Sequence, residues 1–159
     1  MNLFSRKKKE LVLNAIADGT ILPLEQVADA VFSTKMMGDG YAINPTNGQV
    51  YAPVAGTISS IFPTKHALGI TTDGGIELLL HLGLDTVELA GAPFTIHVEV
   101  GETVTVDQLL VDIDLPALTA ANKAATCMVI ITNMDQVKKL STPVAADVTH
   151  GTAIQTVTL

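Results

Sequence analysis

The sequence predicts an all-β fold: an antiparallel β-sandwich or barrel-like hybrid with a few short helices. Three observations predict it. Polar and apolar residues alternate at period two through Thr95-Ile96-His97-Val98-Glu99-Val100 and Leu109-Leu110-Val111-Asp112-Ile113-Asp114, the mark of half-buried antiparallel strands. Short apolar runs recur between glycine, proline and aspartate turns, with little room for helix. Aromatic residues make up only 4% of the chain, so its core must be built from Val, Ile, Leu and Ala.

At 159 residues one folded body is the simplest organisation, long enough to bury about two-thirds of its unfolded surface. Residues 1–18 read as a separate N-terminal segment, and residues 19–159 as the folded domain. Within the segment, Asn2 to Ile16 has the makings of a short helix, with Leu3, Phe4, Leu11, Val12 and Ile16 as its apolar set. The basic cluster Arg6-Lys7-Lys8-Lys9 beside it suits weak, salt-dependent contact with an anionic membrane surface. The competing reading is a flexible, solvated tail.

Gly19 to Leu24 reads as the first strand, followed by a turn-rich connection through Glu25-Gln26-Val27 and Asp29-Ala30-Val31-Phe32. The glycine-punctuated segment Met36 to Ile43 follows; its Gly38-x-Gly40 lacks the third glycine of a dinucleotide fingerprint. Val50 to Ile58 continues in strands. Thr64 to Ile70 and Glu77 to Gly83 read as a hairpin turning at Asp73-Gly74-Gly75. Leu115 to Ala125 reads as a short helix with Pro116 near its start. Cys127 to Thr132 is a buried strand. Met134 to Leu140 reads as another short helix with Asn133 as its cap, and Val148 to Val157 closes the sheet.

The hairpin carries two of the chain's four histidines, His66 and His81. They lie eight and seven residues from Gly74, so the hairpin brings them roughly level on neighbouring strands. Directly opposed side chains on one sheet face are about 4.5–5.5 Å apart at Cβ, which lets two imidazoles share a phosphoryl group or a metal ion. An imidazole, with an ordinary pKa of about 6.5, is a competent nucleophile near neutral pH. One such histidine among leucines is more often a hydrogen-bonded core residue than a catalyst; the pairing is what argues for function. His97, in an alternating strand, and His150, beside Gly151, carry no such pairing.

The net charge of −7 argues against a nucleic-acid binder. Arg6 is the only arginine, so no arginine clamp on phosphate is expected in the folded part. Cys127 is the only cysteine, which excludes an intramolecular disulfide and points to a reducing compartment. No apolar run approaches a membrane span, and the N-terminal pattern makes a poor signal peptide. A cytoplasmic protein, peripheral at the inner membrane face if the N-terminal segment binds lipid, is the resulting expectation.

Five stretches together resemble the glucose-family IIA component of the bacterial phosphoenolpyruvate-dependent sugar phosphotransferase system. They are Gly38-Asp39-Gly40-Tyr41-Ala42-Ile43-Asn44-Pro45, Ala52-Pro53-Val54-Ala55-Gly56-Thr57-Ile58, Thr64-Lys65-His66-Ala67, Glu77 to Leu89 and Thr132-Asn133-Met134-Asp135. The most specific is the His-x-Gly-x-Asp-Thr-Val-x-Leu run beginning at His81. The resemblance runs from about Gly19 to the end of the chain. It implies a shallow apolar depression holding both histidines, with His81 the phosphoryl acceptor through Nε2. By the same resemblance His66 stabilises the phosphoryl oxygens and Thr64 orients the imidazole. Phe32, Phe62, Leu79, Asp85 and Val87 are implied as the partner-docking rim. The partners implied are the histidine-containing phosphocarrier protein as donor and a IIB domain of the sugar permease as acceptor. Regulated transporters or kinases are further implied partners.

No cofactor is expected for the relay itself. Zinc held by His66 and His81 with a carboxylate from a partner protein is the metal event the resemblance suggests. A zinc-dependent hydrolase using the same pair and Asp85 is the first rival, although the chain has no His-x-His pair. A biotin or lipoate carrier is the second; its modified lysine commonly stands beside methionine, and Lys35-Met36-Met37 is the nearest approach. A purely regulatory binding protein is the third.

Overall fold

In a computed structural model, which describes residues 9–159, period-two patterning sorts the side chains into two apolar layers. The strands are β1 Glu10–Asn14, β2 Gly19–Pro23, β3 Asp39–Pro45, β4 Gln49–Tyr51, β5 Gly56–Ile61, β6 Ala67–Thr71 and β7 Glu77–Leu82. Then come β8 Phe94–Ile96, β9 Thr103–Val104, β10 Leu109–Ile113, β11 Cys127–Ile131, β12 Lys139–Leu140, β13 Asp147–Val148 and β14 Ala153–Thr158. They form an eight-stranded sheet in the order β13-β2-β3-β11-β7-β6-β5-β9 and two three-stranded sheets, β1-β14-β12 and β4-β10-β8. Neighbouring strands run antiparallel in each, and the architecture is the mostly-β sandwich that the sequence predicts.

Strand β11 shows why. All five of its residues are buried, yet they alternate between two layers. Cys127, Val129 and Ile131 enter the main core with Leu78, Leu80, Leu82, Tyr41 and Ile43. Met128 and Ile130 enter a smaller layer on the opposite face with Ala42, Ala67, Leu79 and Phe32. A strand buried on both faces reads as an unbroken apolar run, and Cys-Met-Val-Ile-Ile is one. The cysteine is fully buried in this core, and burial pushes its thiol up to about 12. It is an inert packing residue.

Helices are short. The turn-rich connection after β2 holds a 3₁₀ turn, Leu24–Gln26, and one α-turn, α1 Ala30–Ser33. The Asp29 carboxylate caps α1 by accepting from the Val31 amide at 2.9 Å. Helix α2, Leu115–Ala120, starts as expected, with Asp114 capping the Ala117 amide, but ends five residues before Ala125.

Three expectations are corrected. The helix expected over Asn2 to Ile16 is not present in its described part: Glu10–Asn14 is strand β1, paired with β14 from Glu10↔Thr158 to Asn14↔Ala153. Residues 2–8 of that expected helix lie outside the described residues. The N-terminal segment drawn at 1–18 therefore overlaps the packed body, since Leu13, Ala15, Ile16 and Ala17 are fully buried. The Leu11-Val12-Leu13 run is a short apolar stretch that periodicity cannot assign to helix or strand, and β14 supplies the missing partner. The helix expected over Met134 to Leu140 is a 3₁₀ turn, Met134–Gln136, followed by β12. Asn133 does not cap it. Its side chain crosses to the hairpin instead, accepting from the Glu77 amide at 2.9 Å and donating to the Gly75 carbonyl at 2.8 Å.

Candidate functional site

The site lies on the face of the eight-stranded sheet that bears the smaller apolar layer. His81 sits on β7, flanked in register by Ala67 of β6 and Met128 of β11. The next row on the same face is Gly69, Leu79, Ile130 and Gly40. The hairpin places the histidines close but not opposite each other. Ala67, not His66, pairs with His81, and the His66 carbonyl accepts from the Leu82 amide at 2.7 Å. A one-residue offset would send His66 to the other face of a regular strand. The chain instead bends at Lys65-His66, with Lys65 in the left-handed region at φ 59°. The imidazole of His66 thereby stands edge-on to that of His81, ring centroids 5.2 Å apart and planes at 77°.

Aromatic rings enclose the pair. Phe32, delivered by α1, lies 4.8 Å from the His81 ring, and Phe62 meets His66 edge-on at 5.3 Å. Phe62 is 40% exposed, whereas Phe32 is buried, so one walls the site and the other underlies it. Leu79 is also almost buried. Val87 is 48% exposed and Asp85 is exposed at the left-handed residue opening the 3₁₀ turn Thr86–Leu89. That turn is pinned by a bond from the Thr86 hydroxyl to the Leu82 carbonyl and by the Lys123–Glu88 ion pair at 2.7 Å.

Each imidazole has one nitrogen engaged. His81 Nδ1 lies 2.8 Å from the Gly83 carbonyl oxygen. A carbonyl only accepts, so Nδ1 carries the proton, and neutral His81 presents a lone pair at Nε2. His66 Nδ1 lies 2.6 Å from Thr64 Oγ1. Burial holds the pKa of His81 below its ordinary value, and the neighbouring His66 adds to the depression. The Gly83 carbonyl and the Asp29 and Asp85 carboxylates oppose it. Burial alone lowers His66. In both rings burial thus favours the neutral form over the protonated one.

The structure brings together Thr64, His66, His81, Phe32 and Phe62. Sequence reading did not single out three contributors: Gly83, whose carbonyl fixes the His81 tautomer; Asp29, whose charge reaches His81; and Met37. Only Gly83 had a signal, the His-x-Gly spacing. Met37 lines a shallow groove of about 280 Å³ with Ser59, Ser60, Phe62, Leu79 and Thr132. Gly69 is part of that groove; a Cβ there would lie 2.7 Å from both serine hydroxyls, so its missing side chain keeps the floor open. Among the described residues no group of three His, Cys, Asp or Glu side chains is placed to hold a metal ion. His97 and His150 lie elsewhere: His97 meets Asp112 at 2.6 Å, and His150 stacks on Tyr51 at 3.8 Å with Nδ1 2.8 Å from Asp107.

A β-sandwich that presents two imidazoles in a T-shaped pair on one apolar face defines a class of small all-β domain built around a histidine pair. The family model for the phosphoenolpyruvate-dependent sugar phosphotransferase system, EIIA 1, matches residues 11–137, and the chain belongs to that family. It is 45% identical over 143 residues to the glucose-specific EIIA component of Halalkalibacterium halodurans, covering 90% of this chain and 83% of that protein. It is 49% identical over 145 residues to the glucose-specific EIICBA component of Streptococcus pneumoniae, covering 91% of this chain but 20% of that protein. A beta-glucoside-specific EIIBCA component of Dickeya chrysanthemi is 48% identical over 128 residues, covering 80% of this chain and again 20% of the relative. The chain therefore spans about a fifth of these two multidomain relatives. The solved structure of glucose permease IIA from Mycoplasma capricolum superposes with a TM-score of 0.88 at 40% identity, covering 93% of this chain and 96% of that one.

Proposed function

We propose that the chain is a phosphocarrier that takes a phosphoryl group on His81 Nε2 from the histidine-containing phosphocarrier protein and passes it to a IIB domain. The observation that carries this reading is the bond from His81 Nδ1 to the Gly83 carbonyl, which leaves the lone pair on Nε2 beside His66. Attack of Nε2 on phosphorus forms one N–P bond as the donor's N–P bond breaks. The two bonds are alike, so alignment matters more than driving force. Onward transfer to a IIB cysteine forms an S–P bond and returns the electron pair to Nε2.

His66 is the anion-stabilising partner in this reading. When the Thr64 hydroxyl donates to His66 Nδ1, the ring proton sits on Nε2 and points a donor at the phosphoryl oxygens. The phenyl rings and Leu79 keep water from the labile phosphohistidine. Exposed Phe62 and Val87, with Asp85 beside them, form the docking rim, and buried Phe32 and Leu79 support it from beneath. The names of the relatives point to glucose or a beta-glucoside as the sugar served and to a permease IIB domain fused in other chains. A phosphorylation-dependent hold on transporters or kinases uses the same face.

The relay needs no cofactor in this reading. Zinc fits the pair only in part: two imidazole Nε2 atoms supply half of a tetrahedral set, and a partner's carboxylate would complete it. A zinc hydrolase would need three ligands from the chain itself, which the described residues do not assemble. We place the protein in the cytoplasm. No helix among the described residues is long and apolar enough to cross a membrane. Lipid contact would rest on the basic cluster Arg6 to Lys9, since Leu13 and Ile16 are committed to the core.

The test is intact-mass analysis after incubation with phosphoenolpyruvate, the first enzyme of the system and its phosphocarrier protein. The expected result is an acid-labile gain of one phosphoryl group, absent in His81→Ala and retained in His66→Ala. No gain in the wild type with demonstrably active carriers would overturn the relay.

A further inference from the structure

We propose that Met36 and Met37 form a reversible oxidation site that sets how tightly the phosphocarrier protein docks; the proposal rests on the docking reading given above. Consecutive methionines on a surface loop expose apolar area to water, and Met37 does so in the groove it shares with Phe62, whose ring meets His66. Met36 is 76% exposed and Met37 43%, against 0% for Met128. Met134, the remaining described methionine, is half-buried against the main core.

The loop that presents them is well defined. The Lys35 amide donates to the Phe32 carbonyl at 3.0 Å, and the Gly38 amide donates to the Lys35 carbonyl at 3.2 Å. Lys35 takes a left-handed conformation at φ 61°, its ammonium 3.3 Å from Glu25 and 3.5 Å from Asp39. This tether joins the methionines to α1, whose Phe32 rests on His81, while Met37 lines the groove with Phe62 and Leu79. A thioether here is a flexible apolar contact for a partner, and it is open to small oxidants.

The oxidant is hydrogen peroxide. A sulfur lone pair attacks one peroxide oxygen, an S–O bond forms and the O–O bond breaks. The sulfur loses two electrons, the peroxide gains them, and the departing hydroxide takes up the proton to leave as water. The product sulfoxide is a strongly hydrated acceptor in what was an apolar rim. It lies outside the His66–His81 pair, so docking should suffer while the chemistry of the bound complex does not.

The test treats the full chain with hydrogen peroxide, follows oxidation by peptide mapping, and measures phosphoryl transfer against phosphocarrier concentration. Met36 and Met37 are expected to oxidise before Met134, with Met128 last. The KM for the phosphocarrier should rise at least about fivefold, the effect of burying one poorly paired polar group, with kcat held. Enzymatic reduction of both sulfoxide epimers should reverse it, and the Met36→Leu/Met37→Leu double variant should show the same KM before and after peroxide. An unchanged KM with both sulfoxides present would overturn the proposal, as would Met128 oxidising as fast as Met36. The Met36→Lys/Met37→Lys variant separates the two readings. A raised KM there with none on oxidation sinks the oxidation site alone, and no change in either sinks docking on this face as well.

Discussion

At the scale of single residues the site is governed by which ring nitrogen holds the proton. Gly83 settles this for His81, and Thr64 does so for His66 only if its hydroxyl donates. Thr64→Val removes that donor while keeping the volume, so transfer to His81 is expected to fall about tenfold, and Thr64→Ser to recover most of it. Steady-state transfer kinetics check both. The pH dependence follows from burial. His81 titrates below its ordinary value of 6.5, so the neutral nucleophile survives mild acid and the acid limb of the transfer rate lies below pH 6.5. The unfolded chain binds the proton more readily than the folded one in that window, so stability also declines as pH falls below 6.5. His66→Ala removes a neighbour that depresses His81, and the His81 midpoint is expected to move up; imidazole nitrogen shifts in an NMR titration would report it. An unmoved midpoint would show that His66 does not reach His81 electrostatically.

At the scale of elements, the strands built from local signals were legible and the joints between them were not. The two hairpin strands, the apolar run of β11 and the alternating strands after Phe94 could be read because each carries a local signal: a glycine turn, an unbroken apolar run or a period of two. Counting from the turn placed the two histidines level, yet Ala67 is the true partner of His81. The bend at Lys65 that rescues the pairing requires a left-handed lysine, which no residue preference announces. The one-turn helix α1 is four residues long, too short to show a helical period, and the sequence marks it only as part of a turn-rich connection. Gly83 shows how such joints bear on the site. It has φ +83°, and a Cβ there would lie 2.5 Å from the Thr86 methyl. Gly83→Ala is expected to cost about 1–3 kcal/mol of stability through backbone strain. It should also shift the carbonyl that fixes the His81 tautomer, so transfer falls beyond what unfolding explains. Denaturant titration alongside transfer kinetics separates the two effects.

At the scale of the whole molecule, the chain's beginning and end are bound to each other. Strand β1 pairs with β14, and the Leu159 amide donates to the Lys9 carbonyl at 2.9 Å. This contact spans nearly the full sequence, which is why reading residues 1–18 as one detached segment failed: the strand's partner is about 145 residues away and leaves no local trace. The distinction is testable by two truncations. Removing residues 1–8 leaves β1 intact and gives the reference melting temperature; any loss of binding to anionic vesicles at low salt then belongs to the deleted residues, Arg6, Lys7 and Lys8 among them. Removing residues 1–14 deletes β1, uncovers Val157 and takes away Leu13, both fully buried. Losing one such leucine costs roughly 1.5–3 kcal/mol before the strand's hydrogen bonds are considered. At about 2–4 °C per kcal/mol for a chain of this size, the melting temperature should drop by roughly 5 °C or more. Phosphoryl acceptance below that temperature should survive, because His81 stands on the eight-stranded sheet with His66 at the bend leading into β6, and β1 belongs to another sheet. Equal melting temperatures for the two truncations would mean that β1 adds nothing to the fold. A loss of phosphoryl acceptance with the sheet still folded would mean that the terminal sheet reaches the site.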